Sequence, residues 1–349
     1  MSTTRLAILG VTGSIGRQAL DVVAAHPDRL RVTRSGHRGD DLVALATADD
    51  VDLVLVATPG VAGLEATVAA LEAGKRVALA NKEVLVVGGH LVRRITGGAG
   101  DLLRPVDSEH CAIWQCLAGV QSRDVARVTL TASGGAFRDL PASELAGVTP
   151  ERALRHPTWR MGPKVTIDSA TLVNKAYEVI ETHWLYGVDY DRIDVVLHPE
   201  SVVHALVELV DGAVIAQLAE PDMRLPIQYA LLWEHTPSRA PRLDLSRARG
   251  LTFRGAPDAE RYPCFDLVLR AARSGDAGAL IGVSAADEIA VERFLSGEIG
   301  FTDIAGTLRA GIAAAESVPL SRDPSLEEIR AADRAVRAAL AGEATAARA

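Results

Sequence analysis

The chain has 349 residues, 48% of them hydrophobic, with 37 Lys and Arg against 45 Asp and Glu, a formal charge of -8. That length suits two or three domains with buried cores, and the acidic balance argues against broad nucleic-acid binding. No apolar run approaches the ~20 residues of a membrane span, no signal-peptide pattern opens the chain, and Cys111, Cys116 and Cys264 form neither a CxxC pair nor an even disulfide framework, which together predict a cytoplasmic protein with reduced thiols.

Residues 1–100 alternate strand-like and helix-like runs, from RLAILG and RQALDVVAAH to VDLVLVAT, LEATVAALEAG and RVALA. This alternation predicts an α/β fold with an N-terminal Rossmann-like domain built on a parallel sheet. Residues 101–233 mix patterns: a strand at ARVTLTAS, a long helix after IDSAT, and paired strands HALVELV and AVIAQLA around the turn Asp211-Gly212. They predict a central α+β catalytic domain. Residues 234–258, rich in Pro, Arg and Ser without periodicity, read as a linker, and residues 259–349 read as a C-terminal helical domain whose tail AGEATAARA has no apolar stripe and frays.

Gly10, Gly13 and Gly16 stand between the strand LAILG and a helix expected from Arg17, where glycines allow a tight turn and let a pyrophosphate approach the helix N-terminus. An acidic residue at the end of the second strand would favour NAD; Arg34, His37 and Arg38 stand there instead and favour the extra phosphate of NADP, the other reading being an ordinary charged loop.

In PVDSEH, Asp107 and Glu109 share a face only if the segment is extended, and carboxylates without thiolates suit a hard ion, Mg²⁺ or Mn²⁺. A D-x-E pair alone is more often a solvated turn, so a third ligand is required. In IDSATLVNKAYEVIETHWLYG, Asp168 or Ser169 is expected to cap a helix with Leu172, Ala176, Val179, Ile180 and His183/Trp184 on its apolar side. Asn174, Lys175 and Glu178 then share an arc of about 100° opposite, either a solvent face or a donor, a cation and a carboxylate aimed at one site. Ser133 in TASGGAF sits beside two glycines after a strand, a geometry suited to holding an oxyanion. HPTWRMGPK places His156, Trp159 and Met161 in an irregular loop able to close on a ligand or to pack as a static plug.

Together GVTGSIG, ALANKE, PVDSEH, LTASGG, HPTWRMG, IDSATLVNKAYEVIE and AQLAEPDMRLPIQYAL resemble the 1-deoxy-D-xylulose 5-phosphate reductoisomerase family, in the family's order and over nearly the whole chain. The resemblance implies the NADPH-dependent step of the methylerythritol phosphate route to isoprenoids: a metal-assisted retro-aldol/aldol rearrangement of 1-deoxy-D-xylulose 5-phosphate, then hydride reduction to 2-C-methyl-D-erythritol 4-phosphate. It implies a divalent ion, Mg²⁺ or Mn²⁺, on Asp107, Glu109 and Glu178. It places Lys82, Ser108, Asn174 and Lys175 on substrate oxygens, and Ser133, Ser169 and Asn174 on its phosphate with His156 close by. Trp159 and Met161 fall on a mobile lid, and Thr12, Gly13, Ser14, Ile15, Asn81 and Glu83 on the cofactor side. A homodimer is expected, with HALVELVDGAVIAQLA as its interface.

The chain departs from the family in lacking a stretch between the second strand and VDLVLVATPGVAG that would supply a further strand and helix, and its adenosine-binding turn is replaced around Ser35 to Gly39. Smaller departures are Thr158 and Arg160 in the lid, Cys111, Ala176, Val84, and SAADE at Ser284 to Glu288. Arg160 and the shortened domain motivate a second reading, a paralogue acting on another phosphorylated ketose. A third is a non-catalytic nucleotide-binding protein.

Overall fold

Short runs of Val, Leu and Ile between helices build the first sheet. In the computed structural model, which describes residues 3–37, 39–247 and 250–348, it comprises β1 (Thr4–Leu9), β2 (Leu30–Gly36), β3 (Leu53–Val56), β4 (Arg76–Leu79) and β5 (Leu103–Pro105). All pairs are parallel and the order is β2-β1-β3-β4-β5. Leu6, Ile8, Leu53 and Leu55 are completely buried, each contributing about 1.5–3 kcal/mol of hydrophobic stabilisation. Since β5 pairs with β4, the first sheet runs past the domain boundary expected at residue 100. β2 is an edge strand, as expected of a shortened domain.

The sheet order reverses between β1 and β3, so a crevice opens beyond their C-terminal ends, where ligands of open α/β sheets bind. One face of the sheet packs on the helix Ser14–Ala25 and, from the next domain, on the helix Arg224–Leu232 through Ile227, Ala230 and Leu231.

The second sheet contains β6 (Val125–Ala132), β7 (Ile193–Leu197), β8 (Val203–Leu209) and β9 (Val214–Leu218) in the order β7-β6-β8-β9. β6 and β7 are parallel, while β8 and β9 form the expected hairpin, closed by Leu209 N–H donating to Ala213 O at 2.8 Å. The linker docks on β7, where Leu197 N–H donates to Gly255 O and Arg254 N–H to Leu197 O, both at 2.9 Å. The helices Pro263–Ser274, Ala277–Leu295, Ile304–Glu316 and Leu326–Arg348 pack together at the C-terminal end of the chain. The last helix continues through the segment expected to fray, whose side chains from residue 343 lie outside the described residues.

Candidate active site

Asp107 is the N-cap of the helix Ser108–Cys116: its backbone is extended (φ -59°, ψ 140°) and its Oδ1 accepts the Ser108 N–H at 3.0 Å. The segment is therefore not extended through Glu109 as expected. Glu109 lies in the first helical turn, and the pair converges because only Asp107 stands outside the helix. Both carboxylates sit at the helix N-terminus, where the backbone dipole favours negative charge.

The third carboxylate arrives by a similar departure. Asp168 and Ser169 do not cap a helix; they lie inside the helix Pro163–Thr171, which ends at Leu172 in the left-handed conformation (φ 60°) before a second helix, Val173–Tyr186. Asn174, Lys175 and Glu178 project from that second helix into the protein, not into solvent, and Glu178 is 1% exposed.

Here the three elements meet. Lys82 Nζ lies 2.7 Å from Asp107 Oδ2, 2.6 Å from Asn174 Oδ1 and 3.4 Å from Glu178 Oε1. Lys175 Nζ lies 2.6 Å from Glu109 Oε1 and also donates to Glu178 Oε2, while Asn174 Nδ2 donates to Glu178 Oε1 at 2.5 Å and Ser108 Oγ to Glu109 Oε2 at 2.6 Å. Oxygens of Asp107, Glu109 and Glu178 all lie within 4.8 Å of one another. The donors are hard oxygens without a thiolate, a set that fits Mg²⁺ or Mn²⁺.

Glu181 lies close to Asp107 and Glu178, facing buried His110 Nδ1 at 3.8 Å, and burial raises its carboxyl well above the usual carboxylate range. Burial lowers the His110 pKa and keeps the ring neutral. Burial and the neighbouring Glu109 likewise push the Glu178 carboxyl up to about 8. Burial pulls Lys82 down, but the charges of Asp107, Glu178 and Glu181 outweigh it and hold the amine well above its usual range.

Beside this centre lies a second polar cluster, of His156 and two serine hydroxyls. His156 Nδ1 accepts the Trp159 N–H at 2.9 Å and the Thr158 N–H at 3.2 Å, so the ring proton is on Nε2, which lies 3.0 Å from Ser133 Oγ and 3.1 Å from Ser169 Oγ. Burial, then the charge of Arg138, lowers the His156 pKa to about 4, which keeps the imidazole neutral. The ring thus ties the loop from His156 to Gly162 to two hydroxyls. Ser133 Oγ also accepts the Gly135 N–H at 3.1 Å.

One cavity, open to solvent, joins the two centres. It is lined by Lys82, Asp107, Ser108, Glu109, Asn174, Lys175 and Glu178, by Ser133, His156 and Ser169, and by Trp159 and Met161. Arg160 of the lid also lines it. Ser201 and His204, at the start of β8, complete the wall and were not singled out in the sequence. For Ser201 the signal was the string HPES, at the end of which it takes the left-handed conformation (φ 54°).

Ser14 and Ile15 reach the same cavity, whereas Gly10, Thr12 and Gly13 line an open cleft of about 2820 Å³ between the first sheet and the C-terminal helices. The glycine turn therefore faces both spaces. The helix begins at Ser14, not Arg17, and Gly16 is inside it: a Cβ there would lie 2.4 Å from Gly10 O and 2.6 Å from Val11 Cα, so only glycine allows this approach of turn and helix. Of the expected NADP-directed cations, His37 lines the cleft with its N–H on Asp40 Oδ2 at 2.8 Å. Arg34 does not line it; its Nε is bonded to Asp50 Oδ1 at 3.0 Å. Arg38 lies outside the described residues. Asn81 and Glu83 are buried behind the cleft. Asn81 Nδ2 donates to Thr58 O and, at 2.7 Å, to Gly60 O, and so supports the wall without lining it.

Comparison with known proteins decides the family. The profile of the 1-deoxy-D-xylulose 5-phosphate reductoisomerase family matches residues 6–39 and 35–89, and the profiles of its C-terminal domains match residues 103–186 and 218–339. The 1-deoxy-D-xylulose 5-phosphate reductoisomerase of Exiguobacterium sibiricum is 46% identical over 385 aligned positions, covering 97% of this chain and 98% of the relative. The chain belongs to the 1-deoxy-D-xylulose 5-phosphate reductoisomerase family. The enzyme of Thermomicrobium roseum is 47% identical, covering 95% of each chain. A reductoisomerase crystal structure in complex with NADPH, fosmidomycin and magnesium superposes with a TM-score of 0.90 at 36% identity, covering 97% of this chain and 98% of that one. The Zymomonas mobilis enzyme in complex with NADPH gives 0.86 at 36% identity, with the same coverage. The split of the N-terminal match near residues 35–39, and an alignment longer than this chain's 349 residues, agree with a family segment missing after β2.

Proposed function

We propose that the chain is an NADPH- and divalent-metal-dependent reductoisomerase that converts 1-deoxy-D-xylulose 5-phosphate to 2-C-methyl-D-erythritol 4-phosphate. The observation that carries this reading is the convergence of Asp107 and Glu109 with Glu178 in a cavity that the glycine turn also enters. Asp107, Glu109 and Glu178 would hold Mg²⁺ or Mn²⁺, which supplies Lewis-acid stabilisation of oxyanions on the sugar. Ser133, Ser169 and Asn174 would bind the phosphate, with the neutral His156 donating its Nε2–H beside them. This fixes the substrate at a point remote from the reacting carbons. Lys82, bonded to Asp107 and Asn174, and Lys175, bonded to Glu109, stand ready to donate to substrate oxygens next to the carboxylates. Ser14 and Ile15 at the cavity wall suit a nicotinamide entering from the turn, with the adenosine half in the open cleft. Trp159 and Met161 would exclude water from the reactive fragments.

We place the enzyme in the cytoplasm, a reading supported by three buried, unpaired cysteines, and read it as a homodimer. The exposed β9 edge, with Val214 56% exposed, suits a partner strand. A light-scattering mass of one chain at assay concentration would refute the dimer. Purified protein given 1-deoxy-D-xylulose 5-phosphate, Mg²⁺ and NADPH should oxidise NADPH. Failure to do so, while another phosphorylated ketose is turned over, would favour the paralogue.

A further inference from the structure

Behind the catalytic cavity lies a second charged centre. Lys164, the second residue of the helix Pro163–Thr171, places its ammonium 2.7 Å from Asp168 Oδ2, 2.6 Å from Asp287 Oδ2 and 3.0 Å from Glu83 Oε1. The same nitrogen stands over the Tyr177 ring, 5.3 Å from its centre. The side chains of Asp168, Asp287 and Glu83 are 2%, 1% and 7% exposed, so this is not a solvated surface pair.

What these partners adjoin is the informative feature. Glu83 follows Lys82, Asp168 precedes Ser169 and Tyr177 precedes Glu178, so one ammonium touches the sequence neighbours of three groups that line the catalytic cavity. The fourth partner, Asp287, comes from the helix Ala277–Leu295 of the C-terminal domain. The backbone makes the same connection: Trp159 to Gly162 line the catalytic cavity, and the next two residues, Pro163 and Lys164, line the cofactor cleft. Three carboxyl groups share one ammonium, and the Tyr177 hydroxyl is buried without a hydrogen-bond partner. Ionisable groups buried at this cost would be matched or bettered in stability by apolar packing. What they provide that apolar contacts do not is fixed spacing between three separate elements.

We propose that Lys164 is a positioning residue: its ammonium sets the relative placement of Lys82, Ser169 and Glu178 across the catalytic cavity and anchors the C-terminal end of the lid at the cofactor cleft. It touches none of the reacting atoms. The kinetic part of its test rests on the activity proposed above, so a second readout is independent of turnover.

Lys164→Met, Lys164→Arg and the double variant Lys164→Met/Asp287→Asn separate positioning from stability. Thermal unfolding, Mg²⁺ affinity by calorimetry, and kcat and KM per folded molecule are measured for each. Lys164→Met is expected to lower kcat by roughly 10²-fold, the effect of misplacing reacting groups by about 1 Å, and to weaken Mg²⁺ through the shift of Glu178. The double variant, relieved of one surplus carboxylate, should recover thermal stability without recovering kcat. Lys164→Arg should restore part of kcat. If Lys164→Met does not fold, the double variant carries the comparison. A kcat per folded molecule close to wild type in either methionine variant would overturn the proposal. If wild-type protein itself shows no turnover, the proposed activity fails, and Lys164 is judged on Mg²⁺ affinity alone, which unchanged binding would decide against it.

Discussion

Glu178→Gln isolates the charge of the third carboxylate while keeping its shape. At an effective dielectric of ~20 and a separation of ~4 Å, a unit charge and a divalent cation attract by about 8 kcal/mol. Glu178 first has to lose a proton: with its pKa pushed up to about 8, ionisation near pH 7 costs about 1.4 kcal/mol. The amide oxygen of glutamine remains a hard ligand and recovers part of the difference. The net loss therefore belongs in the 3–5 kcal/mol range typical when one partner of a buried charge pair is removed, or roughly 10²–10⁴-fold in Mg²⁺ affinity. Calorimetric titration of Mg²⁺ into wild type and variant reads this directly, and turnover at fixed Mg²⁺ should fall with it. Glu178 lines the catalytic cavity and not the cofactor cleft, so NADPH affinity, followed by its fluorescence, should stay within about twofold. Equal loss of Mg²⁺ and NADPH binding would refute the division of labour, and unchanged Mg²⁺ affinity would refute the ligand assignment.

The raised Glu178 carboxyl also predicts how the ion depends on pH. Below about pH 8 each bound Mg²⁺ expels a proton, so its affinity should rise about tenfold per pH unit up to that point and then level off; a flat profile from about pH 6 to 8 would contradict this. The sign for stability is opposite: a carboxyl whose folded pKa lies above its unfolded value of 4.5 binds the extra proton in the native state. The metal-free protein should therefore lose stability as pH rises from 4.5 to about 8, as read by its unfolding midpoint. Arg34→Ala should leave KM for NADPH within about twofold, because its guanidinium is engaged by Asp50 outside the cleft; a rise of about tenfold would return Arg34 to the cofactor. Gly16→Ala should lower the unfolding midpoint, at a cost of about 1–3 kcal/mol, and weaken NADPH, since its Cβ would meet Gly10 O at 2.4 Å; wild-type cofactor affinity in that variant would show that the turn does not hold the cofactor.

The residues legible in the sequence were those whose signal is local. Alternating strand and helix runs gave the parallel sheet, three spaced glycines after β1 gave the turn, and the short polar strings gave most of the cavity wall. Pairings made across the fold were not legible. Arg34 stands where a phosphate-binding cation belongs, and only the adjacency of β2 to the segment before β3 shows that Asp50 already holds it. Asn81 and Glu83 sit in a cofactor-side motif, yet they serve from behind the wall. Lys164 has no sequence signal at all, because its partners Glu83, Asp168 and Asp287 are brought together by three helices distant in sequence.

The stretch from Pro163 to Tyr186 shows most plainly why periodicity alone falls short. Read as one helix at ~100° per residue, it would set Ser169 and Asn174, five positions apart, ~140° away from each other and on different faces. An anion pocket and a metal centre drawn from those faces would not share a cavity. Leu172 in the left-handed conformation breaks the helix, with Thr171 Oγ1 accepting the Val173 N–H at 3.4 Å, and both side chains line the same space. A left-handed leucine costs of order 1–3 kcal/mol, and Leu172 is 2% exposed, so tertiary packing holds it there. The strain lies between Ser169, of the proposed phosphate site, and Asn174 to Glu178, at the proposed metal site, which is where a single rearranging substrate would need the two to converge.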